Sequence, residues 1–294
     1  MSKQVRMVRG ERQKELVKLF DTLCDRHNRW QVWSDFITMG AISVSNAVDL
    51  AHAEEREKTY MTLVKRYNEA ELAVFPELFA HMVNALDANM DQDFLGDLFM
   101  SLEMGNDHAG QFFTPYCVCK AMAQITEPDI EARVKEKGFV SVCDPTCGAG
   151  ALLVAFANEC LAQKVNYQTS VLFVAQDIDY VVGLMCYLQL SFIGAAGYVV
   201  IGDTLLHPST SYDPRGLIPR DDGNVWYTPM YFLDVWDARR RWAMLDIAIQ
   251  SMASLGAMQT PAEKLPKEVV MEPKPELIPE AVYTETETGQ LMLF

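Results

Sequence analysis

The sequence predicts an α/β protein in which a helical N-terminal domain precedes a parallel sheet. Residues 1–108 contain few glycines and prolines, and their apolar side chains recur at the three- and four-residue spacing of amphipathic helices. From residue 109 short β-rich runs alternate with helical stretches, a pattern typical of a parallel sheet with helices on its faces. We therefore predict a helical domain over 1–108 and an α/β domain over 109–256.

The same patterns place the elements along the chain. Apolar periodicity predicts N-terminal helices over 11–24, 54–67 and 70–100. In the second domain, apolar β-rich runs predict strands at 139–143, 171–175, 198–201 and 224–227, because buried parallel strands consist of continuous apolar residues. The intervening segments predict helices at 115–125, 150–163, 180–193 and 233–255.

The last segment, residues 257–294, has a different composition. Five prolines fall between 261 and 279, glutamate is frequent, and no amphipathic periodicity is present. We predict an extended or disordered acidic tail. Its final five residues, QLMLF at 290–294, are an exception because they are mostly apolar.

Composition and charge restrict the function classes. Half of the residues are hydrophobic and 22% are charged, as in a globular protein with a substantial core. The net charge is −15, which counts against tight, autonomous binding to duplex DNA, because such proteins carry a basic surface. A local basic face, or a partner that supplies one, remains compatible with this balance.

The seven cysteines indicate free thiols in a reducing cytoplasm. Their number is odd, no CxxC pair occurs, and the N-terminus is too polar for a signal peptide. Without a second cysteine pair or a histidine cluster, we expect no structural metal site. Residues 181–201 lack charge and are long enough to cross a bilayer, but Gly194 and Gly197 interrupt them, so a helix, a turn and a buried strand are predicted instead.

A glycine-bearing turn, DPTCGAG at 144–150, lies between a predicted strand and a predicted helix. Such a turn brings backbone N–H groups close to a ligand. The next two predicted strands are followed by Asp177 and Asp203, which we expect at the same sheet edge as Asp144. Three carboxylates suit a ligand with ribose hydroxyls, an amine and a positive ammonium or sulfonium, and they repel phosphates. The pattern favours S-adenosylmethionine over NAD or ATP.

Four motifs in order carry a family resemblance: GQFFTP at 110–115, DPTCGAGALL at 144–153, AQDID at 175–179 and GDTL at 202–205. Together they resemble the adenine-N6 DNA methyltransferases of the type I restriction-modification class, the modification-subunit family. The resemblance covers roughly residues 1–235 and is sharp only at 110–115 and 144–150. It implies a Rossmann-like S-adenosylmethionine-dependent methyltransferase sheet, which we expect to be truncated here, behind an all-helical domain.

The resemblance also implies residue roles. The methionine end of the cofactor is expected against a Phe-Thr-Pro segment, its nucleoside against the glycine turn and two strand-end acids. In chain order, these residues are Phe113, Thr114, Pro115, Asp144, Cys147, Gly148, Gly150, Asp177 for the ribose hydroxyls and Asp203 for the adenine amine. Phe112 and Phe113 are alternatively core aromatics, and Asp179 and Thr204 fit helix caps better than ligand contacts.

The catalytic motif that the resemblance implies, (N/D)PP(Y/F) after the fourth strand, is absent from the chain. In the family this motif accepts hydrogen bonds from the adenine amine and stacks on the flipped-out base. The nearest candidate is the loop 228–231, where Thr228, Pro229 and Tyr231 occupy the catalytic positions. Asp213-Pro214-Arg215 is a poorer one, and a plain proline-containing turn is the alternative.

The C-terminal QLMLF resembles the pentapeptide by which bacterial replication and repair proteins dock on the sliding clamp. The expected clamp-binding residues are Gln290, Leu291, Leu293 and Phe294, with the acidic tail as a tether; a terminus that packs on its own domain is the alternative. Nothing after the last predicted helix suggests a target-recognition domain, so we expect DNA specificity either to come from a partner, such as a restriction-modification specificity subunit, or to be absent.

Two functions follow from these features. One is a bacterial or phage-like adenine-N6 DNA methyltransferase with a divergent catalytic loop, recruited through the clamp. The other is a catalytically silent cofactor-binding protein that acts by interaction, as a restriction-modification partner or decoy or as a clamp-tethered regulator. The intact cofactor motifs favour the first function, and the acidic charge and the degenerate loop favour the second.

Overall fold

The structure is a computed structural model that describes residues 11–102, 113–126, 129–220, 224–258 and 290–292. Positions 110–112, 293 and 294, which the sequence analysis singles out, lie outside these residues. The helices are α1 (Glu11–Cys24), α2 (Arg29–Asn46), α3 (Ala53–Val64), α4 (Glu69–Ala88), α5 (Phe94–Ser101), α6 (Tyr116–Thr126), α7 (Ile130–Lys137), α8 (Ala151–Ala162), α9 (Tyr167–Ser170), α10 (Tyr180–Phe192) and α11 (Asp234–Met258). The strands are β1 (Val140–Asp144), β2 (Val171–Asp177), β3 (Ala196–Ile201), β4 (Asn224–Tyr227) and β5 (Gln290–Met292).

The N-terminal region is helical, as predicted, with two corrections. The predicted helix 70–100 is divided into α4 and α5, and α2, which lies in the region predicted to be helical, was not predicted as a separate helix. Asparagine side chains begin two of these helices: Asn28 accepts from the Gln31 N–H, and Asn68 forms a reciprocal capping box with Glu71. α2 is buried over most of its circumference, and a helix of that kind has no single apolar stripe to reveal it.

The centre of the α/β domain is a parallel sheet, as predicted. The strand order is β4-β3-β2-β1-β5, and β1, β2 and β3 pair in parallel. Asp144 pairs with Ala175, and Asp177 pairs with Ile201, so the carboxyl ends of the three strands lie at one edge. This carboxyl edge is where ligands of open α/β sheets bind.

β4 corrects the expectation of a wholly parallel sheet. It lies outside β3 and runs antiparallel to it, with Asn224 opposite Ile201 and Tyr227 opposite Tyr198. The strand therefore begins at the carboxyl edge and ends at the opposite edge. The loop that follows β4 is carried away from the loops after β1, β2 and β3.

The sheet separates two apolar cores. One face packs against α8, α10 and the N-terminal helices, with Phe156 and Phe173 in contact edge to face. The other face is smaller and packs against α11 through Trp236 and Ala243. The helical region thus lies on one side of the sheet and α11 on the other.

The structure places two segments for which the sequence left alternatives open, residues 181–201 and the C-terminal peptide. Residues 181–201 form most of α10 and then β3, as predicted, and none of the described helices combines the length and apolar character that a bilayer span requires. Gln290–Met292 pairs in parallel with β1 through Ser141, Val142 and Cys143. This part of the C-terminal peptide therefore lies on its own domain as an added strand.

Candidate functional site

The glycine loop, residues 145–150 between β1 and α8, is shaped by two glycines and by β2. Gly148 and Gly150 have φ values of 55° and 93°, which glycine adopts without steric cost. The Cys147 N–H donates to the Gln176 carbonyl of β2 over 2.9 Å. Because α8 begins directly after Gly150, its first backbone N–H groups lie at the carboxyl edge of the sheet.

Gly150→Ala should destabilise the fold more than Gly138→Ala does. A Cβ at Gly150 would lie 2.8 Å from the Cys186 Sγ, whereas one at Gly138 meets nothing within 4 Å. Both glycines have positive φ, so each alanine costs about 1–2 kcal/mol of backbone strain, and only Gly150 adds a clash. We expect calorimetry to show a Tm loss of about 2–6 °C for Gly138→Ala and a clearly larger loss for Gly150→Ala. Equal losses of Tm would mean that the glycine loop shifts to relieve the clash with Cys186 without a further loss of stability.

Asp144, at the end of β1, is fully buried. Its Oδ1 accepts from the Thr146 N–H over 3.1 Å, and its Oδ2 has no partner among the described residues. Burial, with a smaller contribution from the Asp177 charge, raises the pKa of this carboxyl to about 7. Because a buried carboxylate oxygen without a donor is unfavourable, this atom indicates that a cationic or hydrogen-bonding ligand group completes the site.

Asp177 supports the glycine loop from β2. Its Oδ2 accepts from the Gly148 N–H over 2.8 Å, and its Oδ1 accepts from the Asp179 N–H over 2.9 Å. Burial raises the pKa of Asp177. Asp179 caps α10 by accepting from the Val181 and Val182 N–H groups, which confirms its predicted role as a helix cap.

The turn after β3 carries Asp203 and closes against the glycine loop. The Asp203 Oδ1 accepts from the N–H groups of Leu205 and Leu206 over 2.8 and 3.2 Å. The predicted helix cap at Thr204 is wrong, because residues 204–206 form a turn and no helix follows. Instead the Thr204 Oγ1 donates to the Pro145 carbonyl over 2.5 Å, so this side chain holds two loops of the carboxyl edge together.

A cavity of about 90 Å³ lies between the glycine loop and the segment that precedes α6. This space is far smaller than the ~300 Å³ of a pocket that encloses a whole drug-sized ligand, so it can take only one end of such a molecule. Pro115, at the start of α6, does not line it, and its carbonyl accepts from the Val118 N–H. The lining residues are Asp93, Phe113, Thr114, Cys119, Asp144, Thr146, Cys147, Gly148, Ala149, Ala151 and Leu152.

Phe113 has contacts on both sides of its ring. Its position is therefore compatible with both of its predicted roles, a cofactor contact and a core aromatic. Its ring lies 5.4 Å from the Phe99 ring, within the aromatic packing of the helical region. On the other side, a Cβ at Gly148 would lie 3.4 Å from the Phe113 ring. Phe113 is thus a half-buried packing residue and also a wall of the cavity.

Asp93 and Gln189 shape the cavity, and the sequence analysis missed both. Asp93 is buried and accepts from the Gly96 N–H at the start of α5 and from the Gln189 Nε2 over 2.8 Å. Gln189 also donates to the Ala149 carbonyl over 2.7 Å. Burial raises the pKa of Asp93 to about 6. In the sequence Asp93 has only the signature of a helix cap, and nothing there links it to a residue of α10.

Two exposed apolar side chains at the carboxyl edge were also missed. Ile178 is 74% exposed and Leu205 is 92% exposed, and they follow Asp177 and, after one residue, Asp203. An apolar residue just after a strand-end acid is the sequence signal that could have identified them. Their position beside the two acids offers apolar surface to a flat ring.

The loop 228–231 lies at the opposite edge of the sheet from Asp144, Asp177 and Asp203, because β4 is antiparallel. Thr228 is fully buried: its Oγ1 accepts from the Gly197 N–H and donates to the Ala195 carbonyl, at the beginning of β3. This placement corrects the expectation that Thr228 stands where the catalytic Asn or Asp would, since its hydroxyl is occupied and remote from the glycine loop.

Pro229 and Tyr231 share this location. Pro229 begins a short 3₁₀ turn. The Tyr231 hydroxyl donates to the Leu217 carbonyl over 2.8 Å, its ring stacks on Tyr227 at 4.8 Å, and the Arg240 guanidinium lies 4.1 Å from the ring centre. A ring enclosed in this way is a core residue and has no free face for a base.

The poorer candidate, Asp213-Pro214-Arg215, is also structural. Asp213 is 1% exposed and accepts from the N–H groups of Leu217 and Ile218, while its Oδ1 pairs with Arg215 over 2.9 Å. Within the described part of the chain, no group of His, Cys, Asp and Glu residues is arranged to hold a metal ion.

Comparison with known proteins finds a family model that matches part of the chain. Residues 91–225 match the family model described as N-6 DNA methylase, and this segment contains the glycine loop and all three strand-end acids. Among solved structures, the chain is similar to a class I S-adenosylmethionine-dependent methyltransferase from Listeria monocytogenes, with 14% identity and a TM-score of 0.37. That similarity covers 66% of this chain and spans 54% of the other, about half of its length. No curated protein matches the chain.

Proposed function

We propose that the protein, whose residues 91–225 match the family model described as N-6 DNA methylase, binds S-adenosylmethionine at the carboxyl edge of β1, β2 and β3. The observation that carries this proposal is the buried Asp144 Oδ2 without a partner. This oxygen lacks a positive or hydrogen-bonding partner among the described residues, and the methionine ammonium of the cofactor would provide one. The cavity beside it accommodates one end of a ligand and not the whole molecule.

The remaining groups at this edge fit the rest of the cofactor. Asp177 and Asp203 would serve the ribose hydroxyls and the adenine amine, because carboxylates accept hydrogen bonds from both. Ile178 and Leu205 would lie against the faces of the adenine ring. None of the residues that line the cavity is cationic, so a phosphate-bearing ligand would meet uncompensated negative charge. S-adenosylmethionine supplies an electrophilic methyl group when it is bound.

We further propose that the chain does not transfer this methyl group to adenine on its own. The sequence has no (N/D)PP(Y/F) tetrapeptide, and the nearest substitute is a buried loop at the other edge of the sheet. This absence favours the second function, in which the protein binds the cofactor without catalysis and acts as a restriction-modification partner or decoy or as a clamp-tethered regulator. An adenine-N6 methyltransferase completed by a partner is the alternative that the intact cofactor site supports.

A methyl-incorporation assay tests this proposal. The chain, S-adenosylmethionine with a labelled methyl group and unmethylated DNA should give no more N6-methyladenine than a mixture without protein. An active adenine-N6 methyltransferase added to the same mixture is the positive control. Incorporation above background that is lost in Asp144→Asn would show that the chain is an enzyme, and would refute the silent assignment.

DNA and the sliding clamp are proposed as partners on different grounds. The matched family model supports DNA as the macromolecule involved, and the net charge of −15 favours contact through a partner that supplies basic surface, such as a specificity subunit.

The proposal that the chain docks on the sliding clamp is supported only by the resemblance of residues 290–294 to a clamp-binding peptide. Since Gln290–Met292 pairs with β1, the peptide must leave the sheet before it can bind a clamp. Clamp pull-down that survives deletion of 290–294 would end this idea.

A further inference from the structure

α11 presents an apolar surface that no described residue covers. Its first half packs on the sheet through Trp236 and Ala243, which are buried. Two hydrogen bonds from Arg239, to the carbonyls of Thr169 and Gly138, fix its orientation. Beyond that point the apolar side chains are turned outward, and their exposed fractions are 72% for Trp242, 55% for Met244, 51% for Leu245, 56% for Ile249 and 73% for Met252.

Four of these residues repeat at the spacing of a helix-pairing seam. Trp242, Leu245, Ile249 and Met252 follow one another at intervals of three, four and three residues, which places them at successive a and d positions of a heptad. We call these four residues the α11 stripe. An isoleucine at an a position, here Ile249, and a leucine at a d position, here Leu245, favour a coiled coil of two parallel helices.

We propose that the α11 stripe pairs with the α11 stripe of a second copy of this chain, in parallel, to form a homodimer. In the heptad register set by the stripe, Arg241 occupies a g position and Asp246 the following e position. In a parallel pair the g residue of one helix lies beside the e residue five positions later in the other. Arg241 would therefore meet Asp246 of the second copy, twice by symmetry. Within one chain Arg241 pairs with Asp237 over 2.8 Å, and Asp246 pairs with Arg215 over 2.9 Å. Both side chains are also exposed, at 78% and 47%, so they can contact the second copy as well.

The size of the surface fits a reversible dimer. The exposed side chains present roughly 500 Å² of apolar area, within the range of ~300–600 Å² at which a patch on a monomer often marks an interaction site. Pairing would bury less than the ~800 Å² per partner of a standard interface. The inferred dimer should therefore dissociate at concentrations of about 1–50 µM, in the range of weak interfaces.

Sedimentation of the full chain at several concentrations tests the dimer. We expect the apparent mass to rise from one chain towards two between about 1 and 200 µM, by mass action. Leu245→Glu, which places a charge in the stripe, should raise the dissociation constant at least about 100-fold. Ser251→Glu adds the same charge at an exposed position of the same helix outside the stripe and should leave dimerisation unchanged. At concentrations below about 1 µM, where the parent is a monomer by mass action, the Tm values of both variants should equal that of the parent, because both positions are exposed.

Cross-linking tests the parallel register. In a Cys117→Ser background, which removes the exposed thiol of α6, Ile249→Cys should form a disulfide between two copies under mild air oxidation. Gln250→Cys in the same background should not form one. A chain that stays monomeric at all concentrations, a dimer that survives Leu245→Glu, or linkage through both cysteines alike would each overturn the proposal.

Discussion

Asp144→Asn should weaken S-adenosylmethionine binding by about 30- to 160-fold and leave the chain folded. The asparagine keeps the acceptor for the Thr146 N–H but removes the charge that we propose pairs with the methionine ammonium. A charge-assisted hydrogen bond in a buried site is worth about 2–3 kcal/mol, which corresponds to this loss in affinity. Calorimetric titration at pH 7.5 measures it.

The role of Asp144 can also be tested through the pH dependence of cofactor binding and of stability. Burial raises the Asp144 pKa to about 7 from an ordinary value of 3.8, so the folded chain binds more protons than the unfolded chain between these values. The stability that protonated Asp144 contributes is present below pH 4 and is lost as the pH rises through 7. Binding has the opposite trend, because only ionised Asp144 attracts the ammonium.

We therefore expect the affinity for S-adenosylmethionine to rise between pH 5.5 and 7.5 in the wild type and to change little in Asp144→Asn. Asp93, whose pKa is raised to about 6, remains in the variant and accounts for a residual slope at the acid end. An Asp144→Asn protein that binds as tightly as the wild type across this range would contradict the assignment of the ammonium site.

Arg56→Ala should cause a large loss of stability, about 3–5 kcal/mol, because it removes one partner of a buried ion pair. The Arg56 guanidinium is bonded to Ser45 and, over 2.7 Å, to the buried Asp49. It also donates to the Val225 carbonyl over 2.7 Å and lies 4.1 Å from the Trp226 ring centre. This residue of α3 therefore fixes β4 to the helical region.

Thermal unfolding measures the effect, and we expect the Tm of Arg56→Ala to fall by about 10 °C. The matched control is Lys58→Ala on the same helix, whose ion pair with Glu54 is exposed on both sides and should leave the Tm almost unchanged. If the two variants lose the same Tm, the contacts of Arg56 to β4 do not hold the strand in place.

The parts of the fold that sequence predicts well are those that local patterns determine. The apolar runs of β1, β2 and β3, the glycines at 148 and 150 and the acids that follow the strands each have a local physical reason, so their common edge could be predicted. Asp179 is a cap because an aspartate before a helix accepts its first N–H groups. In these places local preference and tertiary structure agree.

The direction of β4 could not be predicted, because four residues have the same composition in either direction. It is determined by distant contacts: the Arg56 bond to the Val225 carbonyl and the Thr228 bonds to Ala195 and Gly197. The link of Asp93 to Gln189 likewise joins residues 96 positions apart. The common edge of the three strand-end acids is therefore predictable from the sequence, whereas the candidate catalytic loop is misplaced because long-range contacts decide where that loop lies.

Hydrogen exchange with and without S-adenosylmethionine tests the central claim most directly. That claim is that the cofactor binds at the carboxyl edge and that the loop 228–231 has no part in the site. Peptides that cover 144–150, 177–179 and 203–206 should gain protection on addition of the cofactor, and peptides that cover 228–231 should exchange as before. Protection at 228–231, or no protection at 144–150, would contradict the account.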